Sequence, residues 1–247
     1  MTVVNQKSLA LHIKGLIGHR AWRMATRPVA FALRRVPPAL LYRAGLGLRR
    51  KSWPYSAVRE GDTVVQVGAP GDLVKVGRSR AVFFALLVGE SGHLHVFEPE
   101  PASAAVLEAC LTSLGLMDRV TVHRSGCWDE ARVLRFWANP DHPASNLLED
   151  VSEWDETELR ARGYLPSEVT VVPIDAALSD TAHVRLMSVT TNGSEERILA
   201  GAVQTLGRTQ FLALADTGPG IRALSERFGF RNVAMDDRGF TAERLGA

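Results

Sequence analysis

Cysteines, ligand clusters and long apolar runs are scarce in this chain of 247 residues. Its two cysteines, Cys110 and Cys127, are too few for a disulfide framework, and neither has histidines or carboxylates at zinc-ligand spacing. We therefore expect no metal site. No run of about 18 apolar residues occurs, which argues against a conventional transmembrane helix. Together these absences predict a protein of the reducing cytoplasm.

Acidic residues are absent from positions 1–59, where 12 lysines and arginines lie. The rest of the chain carries 17 basic and 27 acidic residues, so the net charge of +2 conceals two segments of opposite sign. We call residues 1–57 the basic arm. Glycines and prolines interrupt it, and the apolar residues between them predict two or three short helices. Such asymmetry suggests an arm that serves an anionic surface.

Three interpretations of the basic arm remain open. In the first, the arm binds peripherally to a membrane, because arginines interleaved with aliphatic and aromatic residues suit an anionic bilayer. In the second, its helices pack on the acidic domain and keep a solvated basic face. In the third, the arm is an organelle presequence, since presequences are also acid-free and arginine-rich. Nucleic acid ranks lower as a partner, because the arm lacks the aromatic signature of an RNA-recognition strand.

Residues 58–247 alternate short apolar runs with longer helical stretches, a pattern typical of a parallel sheet flanked by helices. We predict one α/β domain with a doubly wound, mostly parallel Rossmann-like sheet and helices on both faces. The predicted strands are Thr63–Val67, Leu94–Glu98, Val120–His123, Val184–Thr190, Phe211–Ala215 and Arg231–Met235. The predicted helices are Ser79–Val88, Ala102–Leu114, Ser194–Leu206 and Gly220–Phe228. Arg132–Ala138 alternates apolar and polar residues, which predicts the arm of an edge hairpin.

Two of the predicted strands end in residues suited to a nucleoside. The first ends in a turn of small residues, Gly68 to Gly71, and the second ends on Glu98. Parallel neighbours end side by side, and a carboxylate there accepts hydrogen bonds from ribose hydroxyls. A plain strand-to-helix turn is the alternative for the glycines. The third glycine of the dinucleotide fingerprint is missing, so an NAD-dependent oxidoreductase ranks lower, and Glu98 would repel the 2′-phosphate of NADP.

Three segments together resemble a known family. They are VVQVGAPG at Val64–Gly71, FEPEP at Phe97–Pro101 and MSVTTNGSEERILAGA at Met187–Ala202. Their order and content are similar to those of FkbM-type methyltransferases, within the class I S-adenosylmethionine-dependent fold. The resemblance implies S-adenosyl-L-methionine as cofactor. It also implies methyl transfer to oxygen, with a small molecule or a sugar hydroxyl of a glycan or secondary metabolite as acceptor.

The resemblance assigns roles to individual residues. The implied cofactor-binding residues are Gly68, Ala69, Gly71, Glu98, Pro99, Ser125, Gly126 and Thr190. The catalytic candidates are His142, in a loop at the expected mouth of the site, and Asn192. A solvated loop histidine is the alternative for His142. Trp128 either stacks on the adenine or packs beneath the hairpin.

Several motif positions depart from the family pattern. Gln66 and Thr190 stand where the family has aspartate, Asn192 where it has glutamate, and Ser188 where it has lysine. Amides and hydroxyls form hydrogen bonds but supply no charge. A non-catalytic binding or scaffold domain on the same fold is therefore the alternative function. With the basic arm, the preferred acceptor is a membrane-proximal glycan, reached from the cytoplasm by a peripheral protein.

Overall fold

The computed structural model describes residues 4–5, 31–33, 35–215, 220–235 and 238–246. The strands in this part of the chain are β1 (Val4–Asn5), β2 (Thr63–Val67), β3 (His93–Phe97), β4 (Val120–His123), β5 (Gly126–Cys127), β6 (Arg132–Ala138), β7 (Leu147–Leu148), β8 (Leu165–Val172), β9 (Val184–Val189), β10 (Thr209–Ala215), β11 (Phe230–Met235) and β12 (Gly239–Arg244). The helices are α1 (Pro38–Arg49), α2 (Gly71–Lys75), α3 (Arg80–Leu87), α4 (Pro101–Ser113), α5 (Glu156–Ala161), α6 (Ile174–Ala177), α7 (Glu195–Ala200), α8 (Val203–Gly207) and α9 (Ile221–Arg227).

The central sheet confirms the predicted fold class. It has eight strands in the order β1-β11-β12-β10-β9-β2-β3-β4, and β12 alone runs antiparallel to its neighbours. In the register of the three middle strands, Val67 pairs with Phe97 on one side and with Val189 on the other. The carboxyl ends of β2, β3 and β9 therefore lie side by side.

Apolar residues fill both faces of this sheet. One core contains side chains of α1, α3 and α4, with Phe83 and Leu107 fully buried against Val64 of β2. The other contains side chains of α6 to α9, with Ile198 and Leu206 buried near Val65. Successive residues of β2 thus contribute to opposite cores, as the alternation of a strand requires. Helices on both faces produce the doubly wound architecture.

The stretch Ser194–Leu206 is two helices rather than the single one that we predicted. α7 ends at Ala200 and α8 begins at Val203. A β-carbon on Gly201 would lie 1.9 Å from the carbonyl oxygen of Trp128, so the chain passes against another backbone at this glycine. The Gly201 carbonyl oxygen accepts a hydrogen bond from the Asp175 N–H at 3.0 Å rather than from the next helical turn. The helical period of the apolar residues does not show this contact.

Arg132–Ala138 forms one arm of a hairpin at a sheet edge, as predicted, because it pairs antiparallel with β7, the next strand in the chain and the edge strand of its sheet. The segment is β6, and it lies inside a second sheet of order β5-β8-β6-β7. All seven of its residues pair with β8, which follows much later in the chain, and Phe136 and Trp137 also pair with β7. Alternation along one strand cannot reveal a partner so distant in sequence. This small sheet stands over the carboxyl ends of the central strands.

The described part of the basic arm packs on the domain. Tyr42 of α1 is fully buried, donates a hydrogen bond from its hydroxyl to the carbonyl oxygen of Val74 at 2.9 Å, and meets the Phe83 ring at a centroid distance of 5.1 Å. Gly45 faces the same ring, where a β-carbon would come within 2.9 Å. For these residues, packing on the domain is the observed arrangement. The predictions that concern residues 6–30 lie outside the described residues.

No helix in the described part of the chain has the length and apolar character needed to cross a bilayer.

Candidate functional site

A cleft opens at the carboxyl ends of β2, β3 and β9, beneath the second sheet. It encloses about 600 Å³, including its open mouth. Its floor comes from the strand ends and its roof from β6, β7 and the helical turn Pro143–Ser145. The lining residues are Val67, Gly68, Pro70, Glu98, Pro99, Gly126, Cys127, Phe136, Pro143, Ala144, Asn146, Leu147, Leu148, Thr190, Thr191, Asn192, Ser194 and Ile198.

The floor is built around Gly68. This residue has φ = +85°, and a β-carbon there would stand 2.6 Å from the carbonyl oxygen of Thr190. The Gly68 N–H donates to the Phe97 carbonyl oxygen at 2.9 Å, and the Thr190 N–H donates to the Val67 carbonyl oxygen at 3.0 Å. Both the conformation and the close approach exclude a side chain. Glycine at this position therefore lets three strand ends converge.

Glu98 is a buried carboxylate on the cleft wall. It is 5% exposed, and its two oxygens accept hydrogen bonds from the Ala69 N–H at 2.7 Å and the Glu100 N–H at 3.0 Å. Burial raises the pKa of Glu98 to about 7, although these two N–H donors oppose the shift, and the Glu100 charge adds to it. A carboxylate accepts about four hydrogen bonds. Glu98 therefore keeps accepting capacity for a ligand after it has fixed the glycine turn.

Gly71 and Ser103 form a contact behind the turn. The Gly71 N–H donates to Ser103 Oγ at 2.9 Å, and this hydroxyl donates in turn to the buried Glu100 carboxylate. A β-carbon on Gly71 would lie 3.3 Å from the Ser103 α-carbon. Gly71 thus joins the start of α2 to α4 and does not line the cleft.

Gln66 fixes the turn from below. Its side chain is fully buried, and Nε2 lies 2.9 Å from the Val67 carbonyl oxygen, 2.8 Å from that of Gly68 and 2.8 Å from Thr190 Oγ1. The two carbonyl oxygens can only accept hydrogen bonds, and the two amide hydrogens are shared among the three oxygens, so the position requires a donor. An ionised aspartate or glutamate has no proton to offer these carbonyl oxygens. The neutral amide therefore has a structural function that a carboxylate cannot perform.

Asn192 joins the floor to the roof. Its Nδ2 donates to the carbonyl oxygens of Ala144 at 3.1 Å and Asn146 at 2.7 Å. The adjacent Thr191 hydroxyl donates to the buried Glu195 at 2.9 Å. These contacts tie the loop after β9 to the loop that follows β6. Asn192 therefore fixes the height of the cleft.

Six of the ten predicted site residues line the cleft. They are Gly68, Glu98, Pro99, Gly126, Thr190 and Asn192. Ala69, Gly71 and Ser125 flank it without lining it. His142 is exposed and is not a lining residue either, a placement that does not favour the role of catalytic base. Trp128 is 1% exposed among Leu134, Phe136 and Val171, so packing rather than stacking on a ligand is its observed role.

Sequence reasoning missed the apolar roof. Phe136, Leu147 and Leu148 line the cleft together with Ile198 of α7. The alternation along Arg132–Ala138 predicts that Phe136 faces a core, but it does not identify which core. Only the folding of β8 back on β6 brings this face over the strand ends.

The cleft is poor in charge. Among the described residues that line it, Glu98 is the only carboxylate, and no lysine, arginine or histidine is present. Burial raises the pKa of the Cys127 thiol well above its ordinary range, which keeps it protonated at neutral pH. Within the described chain, no group of three or more potential metal ligands occurs. The arrangement suits a ligand with an apolar ring and hydroxyl groups.

Comparison with known proteins gives similarity at the level of structure. No family model matches the chain, and no curated protein matches its sequence. Methyltransferase FkbM from Methylobacillus flagellatus is 15% identical over 77% of this chain and 46% of its own length, with a TM-score of 0.46. A SAM-dependent methyltransferase from Aquifex aeolicus is 14% identical over 87% of this chain and 95% of its own, with a TM-score of 0.41. An rRNA methylase from Streptococcus thermophilus is 11% identical over 77% of this chain and 90% of its own length, with a TM-score of 0.44. Similarity at this level does not identify an activity.

Replacement of Gly68 by alanine is expected to destabilise the protein by about 3 kcal/mol, since backbone strain and a clash with the Thr190 carbonyl oxygen act together. Gly163 is the matched control, because its φ is +84° and a β-carbon there would have no atom within 4 Å. Gly163→Ala should cost only the strain, about 1 kcal/mol. Urea unfolding measures both free energies, and equal losses would contradict the close approach.

Gln66→Glu tests whether position 66 needs a donor. At pH 8 the carboxylate would face two carbonyl oxygens, and we expect a loss of about 3 kcal/mol in the free energy of unfolding. At pH 5 a protonated glutamate regains a donor, so the loss should shrink. Gln66→Met removes the hydrogen bonds without adding charge and should show no such pH dependence. Equal losses of unfolding free energy for the two variants at pH 8 would refute the requirement for a hydrogen-bond donor at position 66.

Proposed function

We propose that the cleft binds S-adenosylmethionine and that the protein transfers its methyl group to an acceptor hydroxyl. The observation that carries this proposal is the buried Glu98 carboxylate at the end of β3, beside the glycine turn at the end of β2. In open parallel sheets, ligands bind outside the carboxyl ends of the strands, and an acid there holds the ribose hydroxyls of a nucleoside.

The residues of the cleft fit the adenosine half of this cofactor. Glu98 retains accepting positions for two ribose hydroxyls. Apolar side chains of Pro99, Phe136 and Leu148 line the same cleft and offer surfaces to an adenine ring. Gly126 also lines it, and a β-carbon at this position would already come within 3.0 Å of Val171. The close approach of Val171 therefore explains why position 126 is a glycine.

The part played by the chain in methyl transfer is orientation. Glu98 and the apolar lining residues would hold S-adenosylmethionine, which would supply an electrophilic methyl group to the acceptor oxygen and leave as S-adenosylhomocysteine. Thr190 and Asn192 present neutral hydrogen-bonding groups on the floor, and alignment of the reacting atoms can supply much of the rate. The hydroxyl proton passes to solvent at the open mouth, because none of the described lining residues beyond Glu98 is a base at neutral pH.

The proposed acceptor is a sugar hydroxyl on a glycan or secondary metabolite. This finer assignment rests on the resemblance of the three motif segments to FkbM-type enzymes. The hydroxyl and amide groups at Thr190, Thr191, Asn192 and Ser194 are compatible with it. Asn192 and Thr191 donate within the chain, but their oxygens can still accept hydrogen bonds from sugar hydroxyls.

A binding domain without catalysis is the second candidate. The observation in its favour is that Gln66 and Asn192, which stand at acidic positions of the family, donate to backbone carbonyl oxygens in this chain. They serve the fold and leave the described lining without a second acid. Such a domain would bind the cofactor as a signal or scaffold.

Binding of S-adenosylhomocysteine, measured by calorimetric titration, tests the cofactor assignment. The native protein should bind it, and Glu98→Gln should bind at least about tenfold more weakly, because a charged acceptor of the ribose hydroxyls is lost. Glu153→Gln is the matched control, because Glu153 is exposed and does not line the cleft. Because the pKa of Glu98 is about 7, affinity should rise between pH 6 and pH 8 as the carboxylate ionises, and this rise should vanish in Glu98→Gln. A native protein that does not bind would refute the assignment.

Transfer of a labelled methyl group separates the two candidate functions. An enzyme should label an acceptor in a glycan extract, and labelling should fall at least about tenfold in Asn192→Ala, which loosens the roof of the cleft. Ser179→Ala, on the exposed surface after α6, should leave labelling unchanged. Tight binding of S-adenosylhomocysteine with no labelled product would favour the binding domain.

A further inference from the structure

Helix α1 has an exposed apolar side opposite the side that packs on the domain. Tyr42 and Gly45 are buried, whereas Leu40 is 61% exposed and Leu48 81%. Leu40, Ala44 and Leu48 are four residues apart and form one stripe along the helix. Phe31, just before the helix, is 58% exposed as well. Among the residues that the structure describes, none covers this apolar side of the helix.

Exposed cations lie in the same segment of the chain as this stripe. Arg35, Arg43, Arg50 and Lys51 are all exposed. We define the arm face as these four residues together with Phe31, Leu40 and Leu48. In the described chain, none of the four cations lies within salt-bridge distance of a carboxylate. No acidic residue precedes Glu60, so the positive charge of the arm face is not neutralised by its own segment.

We propose that the arm face binds the surface of an anionic lipid bilayer. An interfacial helix inserts aliphatic side chains at the boundary between headgroups and acyl chains, and its flanking arginines and lysines contact anionic headgroups. Leu40 and Leu48 would insert at the boundary of the acyl chains, and the four cations would contact the anionic headgroups. A nucleic acid would satisfy the cations but would leave the exposed leucines in water. The combination of both features favours the bilayer.

The position of α1 links this surface to the cleft. Tyr42 bonds to Val74 of α2, a helix that starts in the glycine turn at Gly71. α2 also contacts the helical turn Pro143–Ser145 in the roof. The arm face lies on the opposite side of α1 from Tyr42, so a bilayer held there would be separated from α2 by the thickness of one helix. If the proposed methyl transfer holds, this placement is compatible with an acceptor that is attached to the membrane.

Sedimentation of the full chain with lipid vesicles tests this proposal. The protein should bind vesicles of phosphatidylcholine with about 30% phosphatidylserine far better than pure phosphatidylcholine vesicles. The double substitution Leu40→Gln and Leu48→Gln should reduce binding at least about tenfold. The matched control is Leu165→Gln with Val203→Gln, because these residues are 56% and 58% exposed on other surfaces. The control should bind as the native protein does.

A charge variant tests the other half of the arm face. Arg43→Gln, Arg50→Gln and Lys51→Gln together should abolish the preference for phosphatidylserine, and high salt should mimic this effect in the native protein. All these variants leave residues 1–30 unchanged. Vesicle binding that survives both sets of substitutions would therefore overturn the assignment to the arm face.

Two further outcomes would overturn the proposal in favour of another partner. One is binding of a labelled single-stranded RNA that the charge variant abolishes, with no binding to vesicles. The other is self-association that the leucine variant abolishes, again with no binding to vesicles. Failure to bind S-adenosylhomocysteine would refute the proposed function and leave the lipid assignment standing.

Discussion

The carbonyl oxygen of Thr190 lies only 2.6 Å from where a side chain of residue 68 would begin, and this contact sets the geometry of the whole cleft. It brings the backbone at the end of β9 against the turn that follows β2. The Gly68 N–H then reaches Phe97, and the Ala69 N–H reaches Glu98, so the end of β3 is held as well. A single glycine thus allows three strand ends to share one set of backbone hydrogen bonds.

The neutral side chains of Gln66 and Asn192 form a consistent set within this geometry. Gln66 donates to the carbonyl oxygens of Val67 and Gly68, and Asn192 donates to those of Ala144 and Asn146. Each side chain meets acceptors, which an ionised acid would repel. The substitutions therefore do not leave the turn or the roof unsupported. Their consequence is confined to the cleft, where Glu98 is the remaining carboxylate among the described lining residues.

The local pattern of apolar and small residues in the sequence predicted the central strands and the position of the cleft, because both depend on residues that are close together in the chain. Short apolar runs identify β2 and β3, and neighbouring parallel strands end side by side, which placed Gly68 beside Glu98. The side of a turn that faces a ligand is not a local property. Gly71 was predicted to touch the cofactor, yet its N–H bonds to Ser103 on the far side. The roof likewise depends on β6 pairing with β8, a contact that only the folded chain creates.

The opposite charges of the arm and the domain suggest electrostatic docking, but the described part of the arm is held by apolar contacts. Tyr42 and Gly45 pack on Phe83, and the hydroxyl of Tyr42 bonds to a backbone carbonyl oxygen rather than to an acid. Arg43 and Arg50 are exposed to solvent. Burial of an aromatic ring outweighs the screened attraction between surface charges, which rarely exceeds about 1 kcal/mol for each pair. Arg43 and Arg50 therefore remain exposed near Leu40 and Leu48, and none of the described residues of the domain neutralises or covers them.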